Sequence, residues 1–288
     1  MDTQRIFEMM YELVFFCKTT PKDFHHLGKL SKSIQKYNID NIPVFICTRE
    51  ENYENLATLL NEFRFNFISE EEILKSAGLE HLEDNWITQQ IVKLLFSTKG
   101  NCKNYLCLDS DSYFIRNFYI SDFIIKGIAL FQIHQQKDLF EWALEYPEFY
   151  NKIKSYYISI RKPVMDYFQR AGEFYDFGPA PILFNSEICI ELLEHWRKSD
   201  LTIEKAFIIS PSEFTWYGEF ILYKKSSHIL PRQPFFKVFH YAEQYLDFTG
   251  KIPLSELDKE YLGVVLQSTW LRNPKKKNIF SYIRKWFQ

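Results

Sequence analysis

The feature that most constrains the fold of this chain is an alternation of short apolar runs and helix-like stretches over residues 13–108. Short apolar runs bounded by turn residues are typical of buried strands. The predicted strands are 13–17, 42–48, 65–68 and 105–108, and the predicted helices start near 21, 53, 69 and 86. Strands that alternate with helices favour a mainly parallel sheet with helices on both faces. The sequence therefore predicts an α/β fold.

The second half of the chain follows a less regular pattern. We expect a strand at 127–133, a mostly helical stretch at 138–171, a strand at 181–184 and helices at 186–196, 201–209 and 214–223. No repeat, low-complexity linker or clear domain boundary interrupts it. A regular half followed by an irregular half suits an enzyme with two substrates.

Charge and cysteine usage exclude several classes of protein. The net charge of −2 gives no indication of nucleic-acid binding. No apolar run is long enough to cross a membrane, and residues 1–11 do not resemble a signal peptide. The cysteines are odd in number, scattered and without a CxxC pair: Cys17, Cys47, Cys102, Cys107 and Cys189. This usage predicts a reducing, cytoplasmic location without a zinc site or disulfides.

Two carboxylates, Asp109 and Asp111, directly follow the strand predicted at 105–108. Ligands of open α/β sheets bind outside the carboxyl ends of the strands. Two acidic groups one residue apart at that position can hold a divalent cation against a phosphate. An Asp-x-Asp segment can also be a plain turn, but the apolar residues on both sides of this one favour a site.

The same residues resemble a known family. The strand followed by Asp109-Ser-Asp111 resembles the DxD motif of nucleotide-sugar glycosyltransferases with the GT-A fold. The helix Trp86-Ile-Thr-Gln-Gln-Ile-Val-Lys-Leu94 before it resembles a family of bacterial glycosyltransferases, and the segments 178–184 and 212–220 fit the same family. The resemblance covers residues 12–245. One departure is Gly178-Pro179-Ala180, which stands where many members have a His-containing segment.

This resemblance implies one GT-A-like catalytic domain over 1–272, with a nucleotide-binding half at about 12–120 and an acceptor-side half at about 121–272. The implied reaction is a metal-dependent transfer of a sugar from a nucleotide-sugar donor, with UDP as the expected nucleotide. The implied acceptor is a hydroxyl of a bacterial surface glycan such as lipopolysaccharide, lipooligosaccharide or capsule.

The resemblance also implies roles for single residues. Asp111 would bind Mn²⁺ or Mg²⁺ directly, and Asp109 would bind the ribose, or the metal through water. His240 follows an apolar run and would be a third metal ligand; the alternative is a structural histidine. Glu213 would be the general base of an inverting reaction, with Glu219 as the second choice. Alternatively, Glu213 is a favourable carboxylate at a helix N-terminus.

Two short segments are candidates for nucleotide binding. Cys17, Lys18 and Thr19 follow the first strand and would line the nucleotide pocket by position. Gln89, Gln90 and Lys93 share one helix, on which Gln89 and Lys93 face the same way. The alternative for this helix is a solvated polar face, and we expect Trp86 to lie in the core.

Residues 273–288 form a separate tail. Its apolar residues recur at helical spacing among basic ones, which predicts a basic amphipathic helix. Peripheral contact with the inner membrane surface through 275–287 is one expectation, and packing against a protein surface is the other.

Two other functions stay open. A haloacid-dehalogenase-type phosphatase also uses Asp-x-Asp after a strand, with Asp109 as nucleophile, but its motif normally follows the first strand. A non-enzymatic membrane-peripheral binding protein would use the tail and need no metal.

Overall fold

The computed structural model describes residues 11–80, 84–179, 181–226 and 229–267. The strands in these ranges are β1 (Tyr11–Lys18), β2 (Val44–Thr48), β3 (Asn66–Ser69), β4 (Cys102–Leu108), β5 (Ser112–Phe114), β6 (Ile124–Ile125), β7 (Ile128–Gln132), β8 (Ile182–Asn185), β9 (Ile229–Arg232), β10 (Phe236–Phe239) and β11 (Gly263–Leu266). The helices are α1 (Phe24–Tyr37), α2 (Tyr53–Leu59), α3 (Glu70–Ser76), α4 (Asn85–Leu95), α5 (Lys137–Leu144), α6 (Pro147–Tyr167), α7 (Ser186–Lys198), α8 (Ile203–Ile209), α9 (Glu213–Lys224) and α10 (Ala242–Lys251).

The central sheet has the strand order β3-β2-β1-β4-β8. Its first four strands are parallel, and β8 runs antiparallel to β4. The predicted α/β fold with a mostly parallel central sheet flanked by helices is therefore confirmed.

Both faces of this sheet are covered. Val14 and Phe16 of β1 point to one face and belong to a cluster with residues of α4, α7 and α9. Leu13 and Phe15 point to the other face and belong to a cluster with residues of α1 and β5. A strand buried on both faces is apolar at nearly every position, which explains why these strands are continuous apolar runs in the sequence.

Two three-stranded sheets complete the β-structure of the described ranges, with the orders β10-β11-β5 and β6-β7-β9. The strand predicted at 127–133 is confirmed as β7, whereas β5, β6, β9, β10 and β11 were not predicted. These five strands have two to four residues each. Runs of that length carry too little periodicity to be distinguished from loops.

The mostly helical stretch predicted at 138–171 is interrupted. It consists of two helices, α5 and α6, which break at Glu145 and Tyr146, and α6 ends at Tyr167. Pro147 occupies the first turn of α6, where its missing N–H costs nothing.

Helices α3, α4 and α9 begin with side-chain caps. The Ser69 hydroxyl accepts a hydrogen bond from the Glu72 N–H (3.0 Å), which confirms the helix start predicted there. Asp84 accepts the N–H groups of Trp86 and Ile87 at the start of α4, and Ser212 caps α9. Such caps satisfy N–H groups that lack partners within the helix, and they fix where each helix begins.

The basic tail predicted at 273–288, including the membrane contact expected for 275–287, lies outside the described residues, as does Ala180. Within the described ranges, we find no helix with both the length and the apolar character required to span a lipid bilayer.

Candidate active site

The parallel strands β1, β2, β3 and β4 all end at one edge of the central sheet, called here the carboxyl edge. The register pairs Cys17 with Leu108, so Lys18 lies beside Asp109 at this edge. Because β8 is antiparallel, its first residue, Ile182, also lies here. Lys18, Arg49, Glu70 and Asp109 thus leave four adjacent strands at the edge where α/β sheets bind ligands.

Asp109 is held by a lysine from α4. The Lys93 Nζ lies 2.8 Å from Asp109 Oδ1, and the Lys93 side chain is 4% exposed whereas that of Asp109 is 33% exposed. One side of the carboxylate therefore pairs with a buried cation while the residue stays accessible to solvent. Lys93 was predicted to face the nucleotide or solvent; the structure instead places it beneath the DxD.

A second carboxylate lies behind Lys93. Glu213 Oε1, at the start of α9, is 3.4 Å from Lys93 Nζ, and the Glu213 side chain is 1% exposed. Burial raises the pKa of Glu213, although Lys93 opposes that effect. Burial lowers the pKa of Lys93, but Asp109 and Glu213 outweigh it and hold that pKa well above its usual value. Lys93 is thus a permanent cation between two carboxylates.

Gln90 and Trp86 extend this network. In the amide orientation that satisfies both neighbours, the Gln90 amide nitrogen donates to Glu213 Oε2 (2.7 Å) and its oxygen accepts from Trp86 Nε1 (3.1 Å). Trp86, expected in the core, is 48% exposed and contributes its ring N–H instead. Gln89 is partly exposed on the same helix, one turn before Lys93. Asp109, Lys93, Glu213, Gln90 and Trp86 are called the DxD support network below.

A second buried ion pair lies further along the carboxyl edge. Lys18 Nζ is 2.6 Å from Glu70 Oε2, and both side chains are 3% exposed. The partly exposed Arg49 approaches the other oxygen of Glu70, with Nε 3.5 Å from Oε1. Lys18, which was predicted to bind the nucleotide, therefore already neutralises a protein carboxylate, and no sequence motif indicates this ion pair.

The neighbouring residues differ in what they offer to a ligand. The Thr19 and Thr48 hydroxyls are buried at adjacent strand ends and have no hydrogen-bond partner among the described residues. Cys17, also predicted to line the pocket, is 1% exposed and packs in the apolar cluster beneath α1. Burial raises the pKa of its thiol, which keeps it protonated.

Strand β11 connects the segments that carry Asp111 and His240. The Asp111 carbonyl accepts the Leu266 N–H (3.2 Å), and the Gln267 N–H donates to the Phe239 carbonyl (3.3 Å). Asp111 precedes β5 and His240 follows β10, so the two residues flank the end of β11. Two strand spacings separate such positions by about 10 Å between backbones. The structure thus brings Asp111 and His240 to one edge although they are 129 positions apart in the sequence.

His240 has the protonation state of a metal ligand. Its Nε2 is buried and has no hydrogen-bond partner among the described residues, while its backbone N–H donates to Gln244. Burial lowers the pKa of His240 to about 4, against an opposing effect of Asp176. The imidazole is therefore neutral near pH 7, the form that binds metal ions. Among the described residues, no three His, Cys, Asp or Glu side chains already converge closely enough to enclose an ion.

Sequence reasoning missed a buried network around Asp176. The Arg161 guanidinium lies 2.7 Å from Asp176 Oδ1, and the Gly178 N–H donates to the same oxygen (3.0 Å). His134 Nε2 contacts the Gly178 carbonyl (2.6 Å) while its Nδ1 accepts the Gln136 N–H, which assigns the proton to Nε2. No motif signals this network, because its members come from separate elements.

This network fixes the 176–179 loop beside the DxD support network. A Cβ on Gly178 would lie 2.9 Å from carbons of the Phe214 ring, so only glycine fits there without displacement. Phe214 is the residue after Glu213. Glu219, the second choice for a base, is fully buried and accepts hydrogen bonds from Arg170 Nε at 2.5 Å and Nη2 at 2.7 Å.

Residues 17–256 match the family described as a family of unknown function, DUF6492. The chain belongs to the DUF6492 family. No curated protein matches the sequence. The match begins at the end of β1 and continues through α10, so the family covers the DxD, the support network and His240.

Two solved structures that are similar to this DUF6492 member are glycosyltransferases. The apo WbbM bifunctional glycosyltransferase aligns with 89% of this chain at 12% identity and a TM-score of 0.53, and the chain spans 46% of it. Mouse xyloside xylosyltransferase 1 in its apo form aligns with 90% of this chain and 98% of its own at 10% identity and a TM-score of 0.49. At 12% identity the likeness to WbbM shows the fold alone, which is the GT-A type.

Proposed function

We propose that the protein is a divalent-metal-dependent glycosyltransferase that moves a sugar from a nucleotide-sugar donor to a glycan hydroxyl. The observation that carries this proposal is the position of Asp109 and Asp111 at the carboxyl edge of a GT-A-type sheet, with Asp109 fixed by buried Lys93. A plain surface turn needs no buried counter-ion, and burying one costs free energy unless it is well paired.

Asp109, Asp111 and His240 would hold Mn²⁺ or Mg²⁺. Carboxylate oxygens are the ligands these cations prefer, and Mn²⁺ also accepts imidazole. The buried Nε2 of His240, which lacks a protein partner in the described ranges, fits this role. When bound, the cation offsets the negative charge that a leaving nucleoside diphosphate gains.

Lys18, Thr19, Gln89, Gln90 and Lys93 were predicted to bind the nucleotide, and their positions support different contributions. The partly exposed Gln89 is suited to direct contact, whereas Thr19 is 2% exposed and its buried hydroxyl lies beneath the surface at the end of β1. Lys18, Gln90 and Lys93 are engaged with protein carboxylates and act by shaping the pocket. Cys17 contributes through its position in the core. UDP is the nucleotide we propose first.

Glu213 has a position that favours an indirect role. An acceptor hydroxyl reaches its carboxylate only if Lys93 or Gln90 moves away, because both contact it and the side chain is 1% exposed. We therefore propose that Glu213 positions Lys93, and through it Asp109. The general-base role stays a prediction that the Glu213→Gln variant tests.

The acceptor and the location are also proposals. A bacterial surface glycan remains the acceptor class we propose. We propose a cytoplasmic location, because the cysteines at positions 17, 47, 102, 107 and 189 are all free and buried, as is usual in a reducing compartment.

Turnover of sugar nucleotides tests the proposed reaction. UDP-glucose, UDP-galactose and UDP-N-acetylglucosamine are incubated with Mn²⁺, and release of UDP is measured together with calorimetry of Mn²⁺ and UDP binding. We expect Asp111→Asn to lower kcat/KM on the order of 100-fold, because charge stabilisation at the leaving group is lost. Asp258→Asn, an exposed carboxylate in a short 3₁₀ helix, is the matched control.

Equal turnover and equal Mn²⁺-dependent UDP binding in Asp111→Asn and the wild type would refute the proposal. Metal-dependent hydrolysis of p-nitrophenyl phosphate that Asp109→Asn abolishes would instead favour the phosphatase. For Glu213, positioning predicts weaker Mn²⁺–UDP binding in Glu213→Gln. A general-base role predicts unchanged binding, a lower kcat and loss of the acidic limb of the pH profile.

A further inference from the structure

Four aromatic side chains form a partly exposed cluster, and one of them, Tyr241, directly follows His240 in the chain. Trp142 of α5, Tyr146 at the start of α6, Phe149 of α6 and Tyr241 are each partly exposed. The Trp142 and Tyr241 rings are stacked, with centroids 5.5 Å apart and an interplanar angle of 19°. Tyr146 lies 5.0 Å from Trp142, and Phe149 lies 4.9 Å from Tyr241. These four residues are called the aromatic platform below.

A single carboxylate orients two of these rings. Asp247 Oδ2 accepts the Trp142 Nε1–H at 2.8 Å and the Tyr146 hydroxyl at 2.9 Å. An ionised carboxylate has about four acceptor positions, so Asp247 retains capacity for further donors. The platform therefore combines fixed aromatic faces with a hydrogen-bond acceptor at the same surface.

The platform borders the proposed metal site. Tyr241 is the residue after His240, and the sheet order β10-β11-β5 leads from His240 to Asp111. An ion pair between Lys237 of β10 and Asp138 of α5 ties the helix that carries Trp142 to the strand that ends beside His240. The platform thus starts at the residue that follows His240, which is separated from Asp111 by strand β11 alone.

We infer that the aromatic platform binds the acceptor saccharide, an inference that rests on the proposed function. A pyranose ring has a face of C–H bonds that packs on the negative face of an aromatic ring, and it has hydroxyl groups at its rim. Tyr and Trp suit such surfaces because one end is apolar and the other is wet. Asp247 accepts sugar hydroxyls at the edge of the stacked rings.

The Asp247 carboxylate favours a saccharide over an apolar ligand at the platform. Covering Asp247 with an acyl chain or an apolar protein surface would desolvate a charge without supplying a donor, which is costly. A sugar hydroxyl supplies that donor. Stacking on aromatic rings alone would not distinguish these occupants.

Direct saccharide binding tests the inference. Saturation-transfer NMR and calorimetry are carried out with methyl β-D-galactopyranoside, methyl α-D-glucopyranoside, lactose and maltose on the full chain in the presence of Mn²⁺ and UDP. We expect Trp142→Ala to weaken binding about tenfold, equivalent to about 1.4 kcal/mol, while Mn²⁺–UDP binding stays unchanged. Tyr223→Ala, an aromatic residue 52% exposed at the end of α9, is the control and should leave saccharide binding unchanged.

Two further variants protect the test from misfolding. Tyr146→Phe removes only the hydroxyl that donates to Asp247, and Asp247→Asn keeps the shape of the acceptor; both should weaken saccharide binding if the platform is the site. Saccharide binding that Trp142→Ala, Tyr146→Phe and Asp247→Asn all leave unchanged, or no binding by the wild type at millimolar concentrations, overturns the inference. Binding to phosphatidylglycerol vesicles that Trp142→Ala abolishes, without saccharide binding, also overturns it and identifies a lipid surface.

The outcomes separate this inference from the proposed function. If the wild type turns over a donor but its saccharide binding is insensitive to Trp142→Ala, the platform inference is refuted and the glycosyltransferase proposal stands. If saccharide binding depends on the platform but no sugar nucleotide is turned over, the glycosyltransferase proposal is refuted and the platform is a saccharide-binding site.

Discussion

Replacing Lys93 with Met removes the cation that lies between Asp109 and Glu213. The two carboxylates differ in burial: the Asp109 side chain is 33% exposed and can turn to solvent, whereas that of Glu213 is 1% exposed and cannot. Met keeps most of the volume of the lysine stem, so a cavity contributes little. The effect therefore measures the electrostatic role of Lys93.

Breaking a buried ion pair by removing one partner costs about 3–5 kcal/mol, because the other charge is left uncompensated. In Lys93→Met the Gln90 amide would still donate to Glu213, but no cation would oppose its charge. We expect a loss near the lower end of that range, since Glu213 can take up a proton. Its pKa is already raised by burial, and loss of Lys93 raises it further.

The double variant Lys93→Met with Glu213→Gln completes the test. An amide at position 213 removes the buried charge, so we expect the double variant to regain most of the stability that Lys93→Met loses. The coupling free energy should approach about 2 kcal/mol, within the range found for residues in one charge network. Lys99→Met is the matched control: Lys99 pairs with Glu72 at 2.6 Å, but Glu72 is 55% exposed, and such surface pairs contribute at most about 1 kcal/mol.

Urea unfolding followed by both circular dichroism and tryptophan fluorescence gives the free energies, provided the two transitions coincide. The pH dependence of the free energy of unfolding provides an independent test of the direction of the effect. As the pH falls, a carboxyl group whose pKa is higher in the folded state is protonated in that state before it is protonated in the unfolded state. The destabilisation caused by its buried charge therefore decreases as the pH falls. The stability gap between Lys93→Met and the wild type should therefore narrow from pH 8 to pH 5. A loss below about 1 kcal/mol, or strictly additive effects in the double variant, would refute the reasoning.

Three other substitutions test the structure around the site. Gly218→Ala should destabilise by about 1–3 kcal/mol or more, because its Cβ would lie 2.0 Å from the Phe177 ring; an unchanged urea midpoint would contradict this packing. Asp176→Asn should lose about 3–5 kcal/mol at pH 7, because Arg161 is left buried without its counter-ion. Burial opposes ionisation, but Arg161 and its neighbours hold the pKa of Asp176 well below its usual range. The wild type should therefore lose the contribution of this ion pair to the free energy of unfolding below about pH 4, whereas the variant should not. Unfolding measured across an acid titration checks this. Ser212→Ala should cost about 1 kcal/mol through loss of the α9 cap, and Ser212→Asp should restore the wild-type melting temperature.

The sequence predicted the regular part of the fold correctly because its signals are local. The apolar strands, the cap at Ser69 and the helix before β4 depend on residues within a few positions of one another. The same local pattern located the DxD, because a strand followed by two carboxylates is contiguous in the chain. The short strands β10 and β11 lacked such a signal, so the residue pattern could not place His240 near Asp111; only the family resemblance implied that the two residues share a metal ion.

Hydropathy misassigned two residues of α4. Lys93 was predicted on a polar face and Trp86 in the core, yet Lys93 is 4% exposed and Trp86 is 48% exposed. A lysine reads as a surface residue unless the position of its partners is known. Here the partners are 16 and 120 residues away, and only the packing of α9 against α4 brings Glu213 to Lys93.

The amino-acid sequence is sufficient to predict the α/β class and the position of the DxD at the carboxyl end of β4. It also shows the residue types from which a metal site can be built. The tertiary structure alone decided that Asp109 has a buried counter-ion, that Glu213 lies behind it and that His240 shares an edge with Asp111. The reason is physical: secondary structure follows from neighbouring residues, whereas the protonation, burial and direction of a charged side chain depend on groups that distant segments bring to it.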